Sequence, residues 1–178
     1  MYFVCCIMQI TLAGVMMNVK SNAKSGSLER AIAIAVEAHA GMTDKAGAPY
    51  ILHPLRVMMA VDGEAAQTVA ILHDVVEDCP DWTFERLAKE GFAQSVMDGL
   101  RAVTKLPSEE ESADDLPEIR RERYFSFVRR AAAHPIGRVV KLADLNDNLN
   151  VSRLAAITEK DTQRLGKYLE ARALLLAI

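Results

Sequence analysis

The chain has 178 residues, 51% of them hydrophobic, with 21 Lys and Arg against 24 Asp and Glu for a formal net charge of −3. That length supports one compact domain with a substantial core and makes a second unlikely to find room. The near balance of charge lacks the basic excess of a phosphate-backbone footprint, so nucleic acid is not the expected partner, whereas a small anionic ligand needs only a local site.

The first twenty residues, MYFVCCIMQITLAGVMMNVK, are apolar but interrupted by Gln9, Thr11 and Asn18, and no Lys or Arg precedes the run. They fall short of a comfortable membrane span and lack the basic start of a signal peptide, so neither an anchor nor a leader is expected. Two readings compete for residues 1–26: a segment docked over an apolar patch, or upstream sequence from a start codon set too early, with Met16 or Met17 as the beginning; the second is preferred. Cys5, Cys6 and Cys79 make an odd count without metal-ligand spacing, which argues against a disulfide framework and for a reducing, cytoplasmic setting.

From Ser27 the pattern is helical. SLERAIAIAVEAHAG opens with a capping Ser and stops at Gly41, and the loop MTDKAGAPYI follows. HPLRVMMAV places Pro54 in a first helical turn, and GEAAQTVAILHDVVED reads as one largely buried helix. DWTFERLAKEG predicts a short helix capped by Thr83 and ended by Gly91, and FAQSVMDGLRAVTKL another that runs to Pro107. PSEEESADDL is expected to be a solvated acidic loop. PEIRRERYFSFVRRAAAHP, IGRVVKLADLNDNLN and EKDTQRLGKYLEARALLLA predict three more helices. Without strict alternation or a fixed repeat, the expected fold is an all-α, single-domain helical bundle over residues 27–178.

One segment conflicts with a purely structural role. ILHDVVEDCP sets His73, Asp74, Glu77 and Asp78 within six positions of a buried helix, where residues three and four apart share a face. Buried carboxylates this close repel and need a compensating cation, and a divalent metal bound by His73 and Asp74 would supply one. His53, at the start of a helix in PYILHP, and Asp144, surrounded by apolar residues in VVKLADLNDN, raise the same question.

In that order AHAG, KAGAPYILHP, LHDVVED, VTKL and VVKLAD closely resemble the HD-superfamily hydrolase domain of the Rel/Spo (RelA/SpoT-like) alarmone enzymes, especially its small stand-alone relatives, from about Leu28 to about Leu154. The resemblance implies an HD-type bundle holding a metal, usually Mn2+, through His53, His73, Asp74 and Asp144, with Glu77 and Asp78 activating the attacking water. It also implies removal of pyrophosphate from the 3′ position of guanosine tetra- or pentaphosphate, a small-molecule nucleotide substrate. Another divalent metal is a second option, and the sequence leaves oligomeric state open.

Two departures bear on the substrate. The family carries an Arg-Lys pair before the HP motif, the Arg stacking on guanine; here Asp44 replaces the Arg and Lys45 is kept, able to meet a phosphate. After KLAD the family continues with an Arg and a His-Asn-Met-Arg run, of which LNDNLN keeps only Asn148, a candidate sugar contact or brace for Asp144. No synthetase domain is expected after Ile178. Two alternatives follow: a phosphohydrolase for another phosphorylated nucleotide, and a non-catalytic nucleotide sensor.

The remaining candidates have plainer readings beside the functional ones. Arg30 is as well suited to a solvated helix face as to substrate, and Lys141 to an ion pair with Asp144 as to a phosphate. His39 and His134 read as helix-end residues, Tyr124, Phe125 and Phe127 as core, Trp82 as packing for the next helix, and IRRER as a charged surface.

Overall fold

The computed structural model describes residues 24–177. The proposed early start and the Cys5, Cys6 pair lie outside the described residues.

Helix α1 (Leu28–Ala38) begins where the Ser27 side chain accepts the Arg30 N–H. After the loop come α2 (Leu52–Met59) and α3 (Glu64–Leu72), then a single turn, α4 (Val75–Asp78). Thr83 caps α5 (Phe84–Lys89), which gives way to α6 (Gln94–Val103) through Gly91 at φ +82°. Helices α7 (Pro117–Ala132) and α8 (Pro135–Asn148) each start on a proline, and α9 (Glu159–Leu176) starts from a reciprocal cap between Thr158 and Asp161. The fold is all-α, as expected; among the described residues the only β pairing is an isolated bridge between Thr43 and Pro49. No helix is long and apolar enough to cross a membrane among the residues described.

Helix α3 is the axis of the bundle. Val69, Ala70, Ile71 and Leu72 are all fully buried, and α1, α2, α6 and α8 pack around them. Four consecutive buried residues occupy every side of a helix, which is why this segment shows so little amphipathic period. At Gly99 in α6 an added Cβ would lie 2.8 Å from a Val69 methyl and 3.2 Å from an Ile136 methyl, so the glycine permits the approach of α6 to both neighbours. A second apolar cluster, with Tyr124, Phe125, Val128, Leu145, Ala171 and Leu175, joins α7, α8 and α9.

Three expectations are corrected. GEAAQTVAILHDVVED is not one helix: it breaks at His73 and Asp74, where His73 Nδ1 lies 2.7 Å from the Ala70 carbonyl, the acceptor that a continuous helix would offer to the Asp74 N–H. Helix α6 ends at Val103 and not at Pro107, because the chain turns extended at Thr104 and the Lys105 N–H donates to Glu77 Oε1 at 2.6 Å. The acidic loop is not wholly solvated. Pro107–Glu109 forms a 3₁₀ turn, and Glu109, only 4% exposed, takes a bidentate pair from Arg130 at 2.9 and 2.5 Å. Arg130 also donates to the carbonyls of Arg101 and Thr104, each at 2.7 Å, so one guanidinium ties α7 to the end of α6 and the loop.

Burial works against the Glu109 carboxylate, yet the Arg130 bonds outweigh it and hold its pKa below the ordinary value of 4.5. A depressed folded-state pKa contributes stability above the unfolded value and loses it as pH falls through the folded one. Glu109→Gln is expected to cost about 2 kcal/mol at neutral pH, less than a fully buried pair would because Arg130 is partly solvated. In denaturant titrations the gap from wild type should shrink below pH 4.5.

Candidate active site

The break after α3 turns His73 and Asp74 toward the first turn of α2 and the middle of α8. His73 is buried, and its Nδ1 must donate to the Ala70 carbonyl, which can only accept. In the neutral ring the lone pair therefore sits on Nε2. That atom is 3.1 Å from Asp74 Oδ2 but off the hydrogen-bonding direction, and among the described residues it is a buried polar nitrogen with no hydrogen-bond partner.

His53 is fixed in the same sense from the opposite side. Its Nδ1 lies 2.7 Å from Asp147 Oδ2, and Arg56 grips that carboxylate through Nε at 2.6 Å and Nη2 at 3.0 Å. His53 Nε2 then faces Asp144 Oδ1 at 3.3 Å and Asp74 Oδ2 at 3.6 Å. The two imidazoles meet edge to face with centroids 5.2 Å apart.

Both carboxylates are anchored as well. Asp144 Oδ1 accepts from Asn148 Nδ2 at 2.5 Å, and its Oδ2 pairs with Lys141 Nζ at 2.8 Å. Asp74 Oδ2 accepts the Tyr50 hydroxyl at 2.6 Å, and His39, buried at the end of α1 with Nδ1 on the Ala35 carbonyl, packs its ring against Tyr50. His53, His73 and Asp144 each bring one ligand atom to within 4.8 Å of the others. Two imidazole lone pairs and a carboxylate oxygen facing one point, with each distal Nδ1 held by an acceptor, suit a borderline divalent ion. Asp74 flanks this trio beside both Nε2 atoms.

The charges show the same convergence. Burial penalises the Asp144 carboxylate, yet Lys141 and the two histidines hold its pKa well below the usual range. Burial likewise disfavours charge on His73, yet Asp74 beside it keeps the imidazole pKa well above its ordinary value. This corner of the bundle draws positive charge strongly.

Above it opens a cavity of about 470 Å³ that also takes in Lys45, Glu77, Asp78 and Asn148. Partial withdrawal from water, reinforced by the Asp74 charge, pushes the Asp78 carboxyl up. Glu77 is engaged with Lys105, through the backbone N–H and through Nζ at 2.9 Å. Arg30 is not brought to this cavity: its guanidinium makes a bidentate pair with Glu90, both bonds at 2.7 Å, between α1 and the end of α5. Asp44 turns its Oδ1 back onto the Ala46 and Ala48 N–H groups at 2.9 and 3.0 Å, shaping the loop that presents Lys45. His134 caps α8 by accepting the Gly137 N–H, while Trp82 is buried with the Arg86 guanidinium 3.5 Å over its ring.

Several site residues escaped the sequence reading. Tyr50 and Asp147 have no role until folding puts them against Asp74 and His53, although Asp147 sits three residues after Asp144, on the same helical face. Arg164, Lys167 and Tyr168 of α9 line the cavity from a helix that carries no recognisable motif.

A divalent ion that binds only the folded chain should raise its melting temperature. At a hundredfold excess over Kd the gain is about 2.7 kcal/mol, on the order of 5–10 °C for a domain of this size. Thermal denaturation with Mn2+ against chelator should show that increment, and Asp144→Asn should abolish it.

No family model matches the chain. Among curated proteins, it is 31% identical over 144 residues to guanosine-3′,5′-bis(diphosphate) 3′-pyrophosphohydrolase of Aquifex aeolicus, covering 79% of this chain and 19% of that protein. The protein of the same name from Vibrio cholerae is 32% identical over 146 residues, 79% of this chain and 20% of its own length. The bifunctional (p)ppGpp synthase/hydrolase SpoT of Escherichia coli is 32% identical over 127 residues, 68% and 17% respectively. The chain thus spans about a fifth of the length of the curated relatives it matches. Taken with an all-α bundle whose HP, HD and KLAD motifs meet at one point, this similarity shows that the chain belongs to the Rel/Spo family, as an HD-type domain.

Proposed function

We propose that the chain is a metal-dependent pyrophosphohydrolase that converts guanosine 3′,5′-bis(diphosphate) to GDP and pyrophosphate. The observation that carries this reading is the convergence of His53, His73 and Asp144 within 4.8 Å, each histidine oriented by an acceptor on its other nitrogen. The relatives named for this reaction support the substrate.

His53, His73, Asp74 and Asp144 would hold the ion, with manganese the expected metal. When bound, such an ion lowers the pKa of a water and screens the phosphate oxygens from the surrounding carboxylates. Asp78, which lines the cavity one helical turn beyond Asp74, is the proton acceptor in this reading. The water oxygen bonds to the ribose-proximal phosphorus and the bond from that phosphorus to O3′ breaks. One water proton passes to Asp78, which returns it through solvent to the departing O3′ so that GDP leaves with a free 3′-hydroxyl, and the other stays on the released pyrophosphate. Glu77 acts through its grip on Lys105, setting that ammonium at the cavity wall where it meets phosphate charge. Lys45 and Lys141 add positive charge to the same wall, and Asn148 braces Asp144 while lining the cavity.

A second reading rests on the loop. Asp44 gives no cationic plane for a guanine ring to stack on, and its carboxylate is committed to backbone N–H groups. The same chemistry would then serve another phosphorylated nucleotide. A panel of nucleotides with 3′- or 2′-phosphates, assayed beside guanosine tetraphosphate, separates the two by kcat/KM.

Mn2+-stimulated release of pyrophosphate from guanosine tetraphosphate should be lost in Asp74→Asn and His73→Ala. Asp78→Asn should lower kcat by roughly 10²–10⁴ while Mn2+ affinity stays unchanged. Full activity of the Asp78 variant would remove that residue from the reaction. Asp147→Asn should weaken Mn2+ binding about 10- to 100-fold, because the amide no longer fixes the tautomer of His53; equilibrium metal titration measures this directly.

A further inference from the structure

Beside the site the cavity adjoins a second one of about 570 Å³, and Lys45, Glu111, Arg164, Lys167 and Tyr168 line both. The outer cavity is cationic to an extent that the net charge of −3 does not foretell. Arg120, Arg121 and Lys160 add to the three shared cations, and Glu111 is the one carboxylate among the described residues lining it.

Ion pairs answer only part of that charge. Arg121 pairs with Glu170, Arg164 with Asp161 at 2.8 Å, and Lys167 with Glu111 at 2.8 Å. Lys45, Arg120 and Lys160 enter no ion pair among the described residues. Partial burial and the nearby charge of Arg164, with a smaller push from Lys160, outweigh the Asp161 carboxylate and hold the Lys45 ammonium down, so cations prevail at this rim. Two helices that share no motif with the metal corner supply most of this wall: α9 contributes Lys160, Arg164 and Lys167, and α7 contributes Arg120 and Arg121. Like charges gathered around one concavity cost free energy unless an anion offsets them, and a chain of phosphates matches several fixed cations at once.

We infer that the outer cavity is the subsite for the 5′-phosphate chain of the substrate, and that the enzyme binds its nucleotide more tightly with each added 5′-phosphate. The inference rests on the reading of the inner cavity as the place where the 3′-diphosphate is cleaved. With that group at the metal corner, the opposite edge of the ribose directs the 5′ chain away from Asp144 and toward the rim that both cavities share. The outer subsite then acts on binding and leaves the bond-breaking step alone.

The test uses the full chain with Mn2+ and three guanosine 3′-diphosphates carrying one, two or three 5′-phosphates. Wild-type KM should fall about two- to fivefold per added phosphate, the range that solvent-exposed ion pairs supply. In Arg120→Ala/Lys160→Ala that dependence should flatten, with kcat unchanged. A wild-type KM indifferent to the 5′ chain, or a variant that raises KM equally for all three, overturns the inference. Should none of the three be hydrolysed, the proposed reaction fails by itself, and calorimetry with inorganic tripolyphosphate on metal-free protein decides the subsite. Binding at least tenfold weaker in the double variant upholds it; equal binding, or none, refutes it.

Discussion

Everything in this bundle is arranged around the difficulty of keeping Asp144 ionised in its interior. A carboxylate buried among apolar side chains is expensive unless positive charge and hydrogen bonds meet each of its oxygens. Lys141 and Asn148 meet them from the same helix, three residues before and four after, and His53 and His73 approach from α2 and from the end of α3. Three separate segments must therefore reach one point before the charge is tolerated.

That requirement accounts for the interruption between α3 and α4. A continuous helix would have kept His73 and Asp74 on the regular helical path; the turn instead spends the Ala70 carbonyl on the His73 ring and brings Asp74 within reach of Tyr50. The unwinding after α6 has a similar cause, since Glu77 holds both the backbone and the ammonium of Lys105. Irregular backbone here collects at the cavity, while the rigid packing of α3 against α1, α2, α6 and α8 keeps it in place.

How much of this was legible in the sequence varied with the range of the interaction. Helices with local punctuation, such as the one between Ser27 and Gly41 or the one capped by Thr83, were readable because cap and stop are near neighbours in the chain. His53, His73 and Asp144 were readable for another reason: ionisable groups in apolar helices demand a partner wherever they lie. The broken helix was not, because the competitor for its hydrogen bond is a side chain whose rotamer depends on contacts far along the chain. Glu109 looked like one acid among several until Arg130, 21 residues on, claimed it. Arg30 failed the other way, since Glu90, 60 residues distant, holds the guanidinium that sequence alone left available. The cationic wall of α9 likewise emerges only from packing.

The loop between α1 and α2 is held at its two ends by different things. Tyr50 ties its C-terminal side to the His53, His73 and Asp144 corner through Asp74, whereas the tip around Lys45 keeps its shape through the Asp44 carboxylate and nearby backbone. A substitution at the tip can accordingly reshape the loop and move Lys45 while the hydrogen bond from Tyr50 to Asp74 stays intact.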